Sequence, residues 1–450
     1  MLNSTHMLML YRNIIAGACL ATVTSVMMAD TPHMTRQHVD DLIKNTKVIH
    51  IDGNESPEDK LLAEDSLRRE MISFYYDQFR HFDNPAAPFF QFMSRDAHLT
   101  MGIGGVVRMR MYYGFGGDIP SPAFAPYLIP IPENPSARRH LGTTPAGTCI
   151  FFQVLGQNKV FGKYQLYIEA NFNGYGSRDF HLKKAFARWR DFTLGLAPST
   201  FNDDAAQPPM VDSNGPENQI SVNNVLFRYM PSIGEHWVLA VSAESPSSPA
   251  QYTTDNSTCS SVSNWTPDLC AFVQYQWAID QHVRLSGLYR TMPYRNLLQQ
   301  SNHNVAGWGL QLSGVGRPST NTTIYFSGSY GHGYTSVLND LLMGSYDLMP
   351  DPLDAGRMYS PAAYGWNVGF QYNFRPNLFA SVSGGQVRYL PRRAVAPTEY
   401  RFGQLLCVNM FWNPTPRTQF GIEYDWGRRV DQSHVQANAH RIGAVAQFSF

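Results

Sequence analysis

The sequence has 450 residues with 35 basic and 35 acidic side chains, so its formal net charge is zero. That balance excludes the basic surface of a nucleic-acid-binding protein, and a negative mean hydropathy excludes a bundle of membrane-spanning helices. Only 16% of residues are charged, 13% are aromatic and 35 are glycine; this composition suits a transmembrane β-barrel, whose apolar residues are spread over alternate positions.

The chain opens with a basic residue, Arg12, and an apolar run from Ile14 to Met28, closed by the small residue Ala29. This pattern predicts a signal peptide over 1–29. The run is short for a spanning anchor, and a lipid anchor on Cys19 would want a bulky residue where Ala16 stands. Residues 30–93 form a periplasmic segment with a helix over 57–82. Ser56 is its N-cap, Pro57 its first residue and Asp59 its capping acid. Leu67, Met71, Phe74 and Tyr75 recur at helical spacing. The helix is a trimerising segment, a plug, or a support packed on the barrel floor.

From residue 94 to 450 the period is two. Leu99, Met101, Ile103, Val107, Met109 and Met111 share one face of a strand, with Arg108, Arg110 and Tyr112 on the other. "FVQYQWAID", "GWNVGFQYNF" and "FGIEYDW" alternate likewise. About sixteen such strands are predicted, beginning near 97, 146, 162, 181, 192, 220, 236, 271, 282, 304, 321, 363, 377, 401, 416 and 438. Long links (114–145, 198–219, 246–270, 332–362, 428–437) alternate with short ones such as "RDF", "DQH" and "RPN". That asymmetry belongs to an antiparallel outer-membrane barrel of a Gram-negative bacterium, embedded in lipid; a soluble sandwich gives no reason for it. The last strand, "RIGAVAQFSF", pairs with the strand near Ala97 and closes the barrel. Its Phe448 and terminal Phe450 form an aromatic signal for the barrel-assembly machinery. Tyr112, Tyr113, Trp237, Trp277, Tyr289, Trp412 and Trp426 fit aromatic girdles.

Sixteen strands enclose a water-filled lumen too wide for side chains alone to fill. The link 198–219, with Asp203, Asp204, Asp212 and Glu217, is the candidate for a loop folding inward after the fifth strand. Arg108, Arg110, Arg228, Arg284, Arg290 and Arg441 share the lumen face with Glu169, Glu244, Asp280, Glu423 and Asp425. Either the arginines oppose the acidic loop and set a field for dipolar or anionic solutes, or the charges pair across strands and brace the wall. Alternation breaks within "LKKAFARWRDF", a stretch that fits a bulge, so the faces of Arg188 and Arg190 stay unassigned. "SPAFAPYLIPIPENP" is apolar for a loop in water and covers a neighbouring subunit or lids its own barrel.

Cys259 and Cys270 flank a polar loop and are expected to form a disulfide; Cys149 and Cys407 are expected to be free and buried. No Cys/His spacing suggests a metal site, and no cofactor motif is present. There is no G-x-S-x-G elbow, and His98, His282 and His440 stand as lone lumen residues, so an enzyme is not expected. The polar lumen face argues against a fatty-acid transporter. The expected function is passive diffusion of small hydrophilic, chiefly anionic solutes; the alternative is a plugged, substrate-specific or non-conducting adhesin barrel.

The stretch from Tyr167 to Met230 resembles the DcaP-like porins, trimeric sixteen-stranded outer-membrane channels. The resemblance rests on "YIEANF", "FHLKKAFARWR", "GLAPSTF", "VDSNGPENQISV" and "NNVLFRY". Ser199, Thr200, Phe201, Asp203, Asp212, Gly215, Pro216, Arg228 and Tyr229 match the family pattern; Pro198 replaces a tryptophan, and Asn223 an arginine of the basic constriction. The resemblance implies homotrimers and passive conduction of small, often anionic solutes such as dicarboxylates.

Overall fold

The computed structural model describes residues 47–50, 88, 90–93 and most of 99–450; within that last range it leaves out 118, 120, 136–137, 159–161, 173–179, 246–257, 279, 345 and 393–394. The expected signal peptide and the helix over 57–82 lie outside the described residues. Sixteen strands form the wall: β1 Leu99–Phe115, β2 Cys149–Asn158, β3 Gly162–Phe172, β4 Phe180–Trp189, β5 Phe192–Pro198, β6 Asn223–Tyr229, β7 Trp237–Ser245, β8 Asp268–Ala278, β9 Gln281–Asn296, β10 Ser301–Ser319, β11 Thr322–His332, β12 Ala362–Arg375, β13 Leu378–Leu390, β14 Tyr400–Thr415, β15 Thr418–Asp431 and β16 Gln436–Ser449. Each begins within three residues of its predicted start, because the switch from alternating residues to turn residues is local.

Each strand pairs antiparallel with the next, and β16 pairs with β1, Ala444 opposite Met111 and Ser449 opposite Val106. The barrel is therefore closed, and no strand edge is left to lipid. At the seam, Phe450 and Gly105 exchange two backbone hydrogen bonds of 2.9 Å. A Cβ on Gly105 would stand 2.4 Å from the Cys149 carbonyl oxygen and 2.7 Å from the Phe450 ring, so the seam needs glycine there. Just past the end of β16, Phe90–Met93 takes over as the neighbour of β1, Phe90 opposite Ile103, and Lys47–His50 pairs with it in parallel.

Alternation sorts the faces as expected. On β12, Trp366, Val368, Phe370, Tyr372 and Phe374 are exposed while Asn367 between them is 1% exposed. An apolar band open to the surroundings over a polar interior is the arrangement of a barrel in lipid. Tyr112 departs from the expected girdle: it points inward, its ring 4.4 Å below the Arg441 guanidinium. His440 departs the other way. It lies on the outer face, bonded to the Tyr424 hydroxyl at 2.9 Å, because its neighbour Arg441 takes the inward position.

Two further links are short, one of them against expectation. The β9–β10 pairing continues to Asn296 opposite Ser301, and β15–β16 to Val430 opposite Gln436. The links 297–300 and 432–435 are thus tight turns, where a long loop is expected over 428–437. Three other links, 116–148, 199–222 and 333–361, bury many of their apolar side chains against their own barrel, although Leu141, Met343 and Leu353 stay exposed. Phe201 and Ile220 pack with Tyr334, Leu338, Leu341, Tyr389 and Tyr400; Ile119, Phe124 and Ile129 pack with Met210, Leu405 and Ala439. The apolar loop "SPAFAPYLIPIPENP" therefore lids its own barrel, and Arg429 donates to the Tyr127 carbonyl at 2.7 Å to hold it there.

The expected disulfide is not formed. All four described cysteines are free and buried. Cys259 lies opposite Asn296 and Cys270 opposite Leu288, eight residues apart along β9, or about 26 Å at the rise of a strand. A bridge needs Cα atoms within about 7 Å. The loop between the two cysteines is short in sequence but runs along the barrel axis.

Candidate functional site

The site is built from the link 199–222 and the buried faces of the strands that receive it. The link leaves β5 beside β6, where Asn202 accepts and donates hydrogen bonds with Val222 across its neck. Its first anchor is Glu244 on β7, which accepts Thr200 N–H at 2.8 Å. Next comes Asp203, 0% exposed. Its carboxylate takes His282 Nε2 at 2.9 Å, the Ser313 hydroxyl at 2.5 Å and the Arg284 guanidinium at 3.6 Å. Burial by itself would raise the Asp203 pKa, but Arg284, His282 and their hydrogen bonds outweigh it and hold the carboxyl well below its ordinary range. Arg284 also donates to the Asn202 carbonyl at 2.7 Å, shares Gln274 Oε1, and stacks over Phe272 at 4.3 Å.

Farther along, Asn367 on β12 donates to Gln207 Oε1, and the Pro209 carbonyl accepts from Ser381 on β13 and Asn409 on β14. Glu423 on β15 accepts the consecutive N–H groups of Val211 and Asp212 at 2.7 and 2.6 Å. Arg110 on β1 donates to the Val211 carbonyl at 2.6 Å, and Arg441 on β16 lies 3.4 Å from Asp212. On the return, Asn218 bonds Ser327 and Ser329 of β11. One link of two dozen residues is thus bonded to β1, β7 and every strand from β9 to β16. The reason is chemical: its backbone and acids meet an inward face that presents Arg, Asn, Ser and Glu at alternate positions.

The link 333–361 completes the site. Asn218 N–H donates to Asp340 Oδ2 at 2.8 Å, Asn339 N–H to the Gln219 carbonyl at 3.0 Å, and Ile220 bridges to Leu338. Glu217 faces Asp340, and both are buried. Burial and mutual repulsion push Glu217 well above the ordinary carboxylate range, and burial pushes Asp340 up to about 7. Asp347 of the same link holds Arg290 at 3.1 Å, and Arg290 also grips Asp268 at 2.6 Å.

The eight expected charged residues all lie on the buried face or in the 199–222 link. Asp203 with Arg284, Asp212 with Arg441, and Arg110 with Val211 are brought together. Arg108 lies beside Arg110 but donates to Gln447 at 2.7 Å. Arg228 donates to the Pro198 carbonyl at 2.9 Å. Asp204 opens a single turn of 3-10 helix, Asp204–Ala206. Arg290, on β9, is set apart, bonded to Asp347 of the 333–361 link. The bulge in β4 falls at Lys183, the residue skipped between Glu169 opposite Lys184 and Ala170 opposite Leu182. It turns Lys183 and Lys184 onto Glu169 at 3.0 and 3.6 Å. The 333–361 link, expected only as a long loop, carries its own signal: Tyr334, Val337, Leu338 and Leu341 in "GYTSVLNDLL" are too apolar for a loop in water.

The profile of the DcaP outer membrane proteins matches residues 93–450. The chain belongs to the DcaP outer membrane protein family. Its place is the outer membrane of a Gram-negative bacterium. The crystal structure of the outer membrane channel DcaP of Acinetobacter baumannii superposes with a TM-score of 0.65 at 19% identity, covering 79% of this chain and 98% of that one. The anion-selective porin from Comamonas acidovorans superposes with a TM-score of 0.50 at 10% identity, over 78% of this chain and all of the other. At these identities the likeness is one of fold. No curated protein matches the sequence. The DcaP family assignment makes the protein an outer-membrane channel of porin type.

Proposed function

We propose that this DcaP-family barrel is a passive porin for small hydrophilic solutes, with a preference for anions. The observation that carries the reading is the bonding of residues 199–222 to the inward faces of β1 and β9–β16. A link held in that way narrows the aqueous path instead of standing above it. Asp203, Asp204 and Asp212 then form one side of the constriction, and Arg108, Arg110, Arg228 and Arg284 the wall around it, with Arg290 nearer the mouth. Asp203 and Asp212 are drawn onto Arg284 and Arg441, which reduces the negative field they present to a solute; Arg108 and Arg110 stand side by side on β1. The anion-selective porin of like fold is in keeping with this preference. The resemblance of the 167–230 region to trimeric channels supports a homotrimer, and the outward Phe448 with the seam residue Phe450 supports recognition by the barrel-assembly machinery.

The test is single-channel conductance in planar bilayers, with reversal potential in a salt gradient. Conductance steps in threes and an anion-side reversal potential are expected. Replacing residues 203–216 by a short Gly-Ser link is expected to raise the conductance. A correctly folded barrel that passes no current overturns the porin reading.

A further inference from the structure

Beneath the tip of the 199–222 link, two neighbouring strands place four side chains in a square. Cys407 and Asn409 stand on the inward face of β14, Glu423 and Asp425 on that of β15. In register, Cys407 is opposite Asp425 and Asn409 opposite Glu423. The sulfur and one carboxylate oxygen from each of Glu423 and Asp425 lie within 4.8 Å of one another, and all three residues are buried. Met210 shares one apolar cluster with Cys407, Leu405 and Ile119 beside the square.

Two of the three donors are already oriented. The Cys407 thiol donates to Glu423 Oε2 at 3.1 Å, and Asn409 Nδ2 donates to the same oxygen at 2.9 Å while lying 3.5 Å from the Cys407 sulfur. The third is different. Asp425 is 1% exposed, points into the square, and has neither carboxylate oxygen in a hydrogen bond. A buried carboxylate left without donors is costly. The cation nearest in register, Arg441, extends to Asp212 and the Ile119 carbonyl. What the square lacks is a compact positive charge that takes sulfur and oxygen together.

We propose that Cys407, Glu423 and Asp425 form a site for one thiophilic divalent cation of the zinc class. One thiolate and two carboxylates are a donor set that such ions accept, with bonds near 2.3 Å to sulfur and about 2.0–2.2 Å to oxygen; harder ions such as Mg²⁺ or Ca²⁺ would avoid the sulfur. On binding, the Cys407 S–H bond breaks and a metal–sulfur bond forms, the proton leaving to solvent. Loss of that S–H donor removes one of the three hydrogen bonds that Glu423 Oε2 accepts from Cys407, Asn409 and Val211, and the ion takes the place of the thiol proton beside that oxygen. Asn409 remains as the outer partner whose amide steadies both sulfur and carboxylate. The ion braces β14 to β15 directly under the carboxylate that holds the Val211 and Asp212 N–H groups.

The experiment is a Cd²⁺ titration. The full chain is refolded into detergent with chelated buffer or with CdCl₂, freed of excess ion, and scored by metal content and by sulfur-to-cadmium charge-transfer absorption. One ion per chain is expected, displaced by Zn²⁺ and not by Mg²⁺. The absorption is expected to vanish in Cys407→Ser and to persist in Cys259→Ser. Affinity is expected to fall by about 10–100-fold or more in Asp425→Asn, the range seen even for outer-shell partners. Absence of the absorption in the wild-type barrel, or its persistence in Cys407→Ser, overturns the site. Should Cys407→Ser fail to fold, as judged by heat-modifiable gel migration, Asp425→Asn decides: unchanged affinity overturns the site as well.

Discussion

Asp203 and Arg284 meet 3.6 Å apart, one from the 199–222 link and one from the barrel wall, each fully buried. His282 and Ser313 complete the carboxylate's partners. Removing one partner of a buried pair leaves an uncompensated charge, at a cost of about 3–5 kcal/mol. Asp203→Asn is therefore expected to loosen the link: the unfolding temperature falls, and open-channel current becomes noisier. Asp203→Asn combined with Arg284→Met is expected to recover much of the loss. Thermal melts and current traces of the two variants check this; equal damage in both would show that the pair does not hold the link.

The Glu217–Asp340 contact predicts a pH-dependent latch between two links. Both carboxyls are raised by burial, Asp340 up to about 7 and Glu217 well above its ordinary value. The docked form thus binds protons that the undocked form has lost near pH 4. Its stabilisation is complete below about pH 4 and is lost as pH rises through about 7. Each group contributes at most about 1.4 kcal/mol per pH unit over that window. Conductance fluctuations are expected to grow between pH 6 and 8, roughly the upper part of the window. Asp340→Asn, which keeps the shape and removes one charge, is expected to flatten the profile. A wild-type profile already flat across that range would sink the latch.

Arg108 and Arg110 stand two residues apart on one face of β1, both buried at the wall. A unit charge near 4 Å from a passing anion is worth about 1 kcal/mol even in water. Arg108→Gln and Arg110→Gln are each expected to move the salt-gradient reversal potential toward the cation side, with anion-over-cation permeability falling severalfold. An unchanged potential would mean that the two arginines only brace the wall, as their bonds to Gln447, Val211 and Ala146 do in any case.

The free state of Cys259 and Cys270 is directly measurable. Thiol titration of the denatured barrel, without prior reduction, is expected to find Cys149, Cys259, Cys270 and Cys407 all reactive. Cys259→Ser is expected to leave gel migration the same with and without reductant. A mobility shift on reduction would restore the bridge.

The barrel itself was legible because its signal is local and repeated. Leu99 to Met111, Trp366 to Phe374 and Phe420 to Trp426 each alternate, and every repetition supports the same architecture. The inward face was legible for the same reason: Arg108, Arg110, Arg284 and Arg441 were assigned by parity alone. The acidic link that carries Asp203 and Asp212 between basic strands was the candidate for an inward loop on the same kind of ground. What parity could not decide is distance along the barrel axis and meeting across it. Cys259 and Cys270 are eleven residues apart in sequence, yet their registers separate them on β9. Glu217 and Asp340, far apart in the chain, meet because two links fold into one mouth. Cys407, Glu423 and Asp425 match no metal-binding spacing, because the register of β14 against β15 assembles them. Periodicity determines which way a side chain faces; register, bulges and the packing of long links determine what it faces.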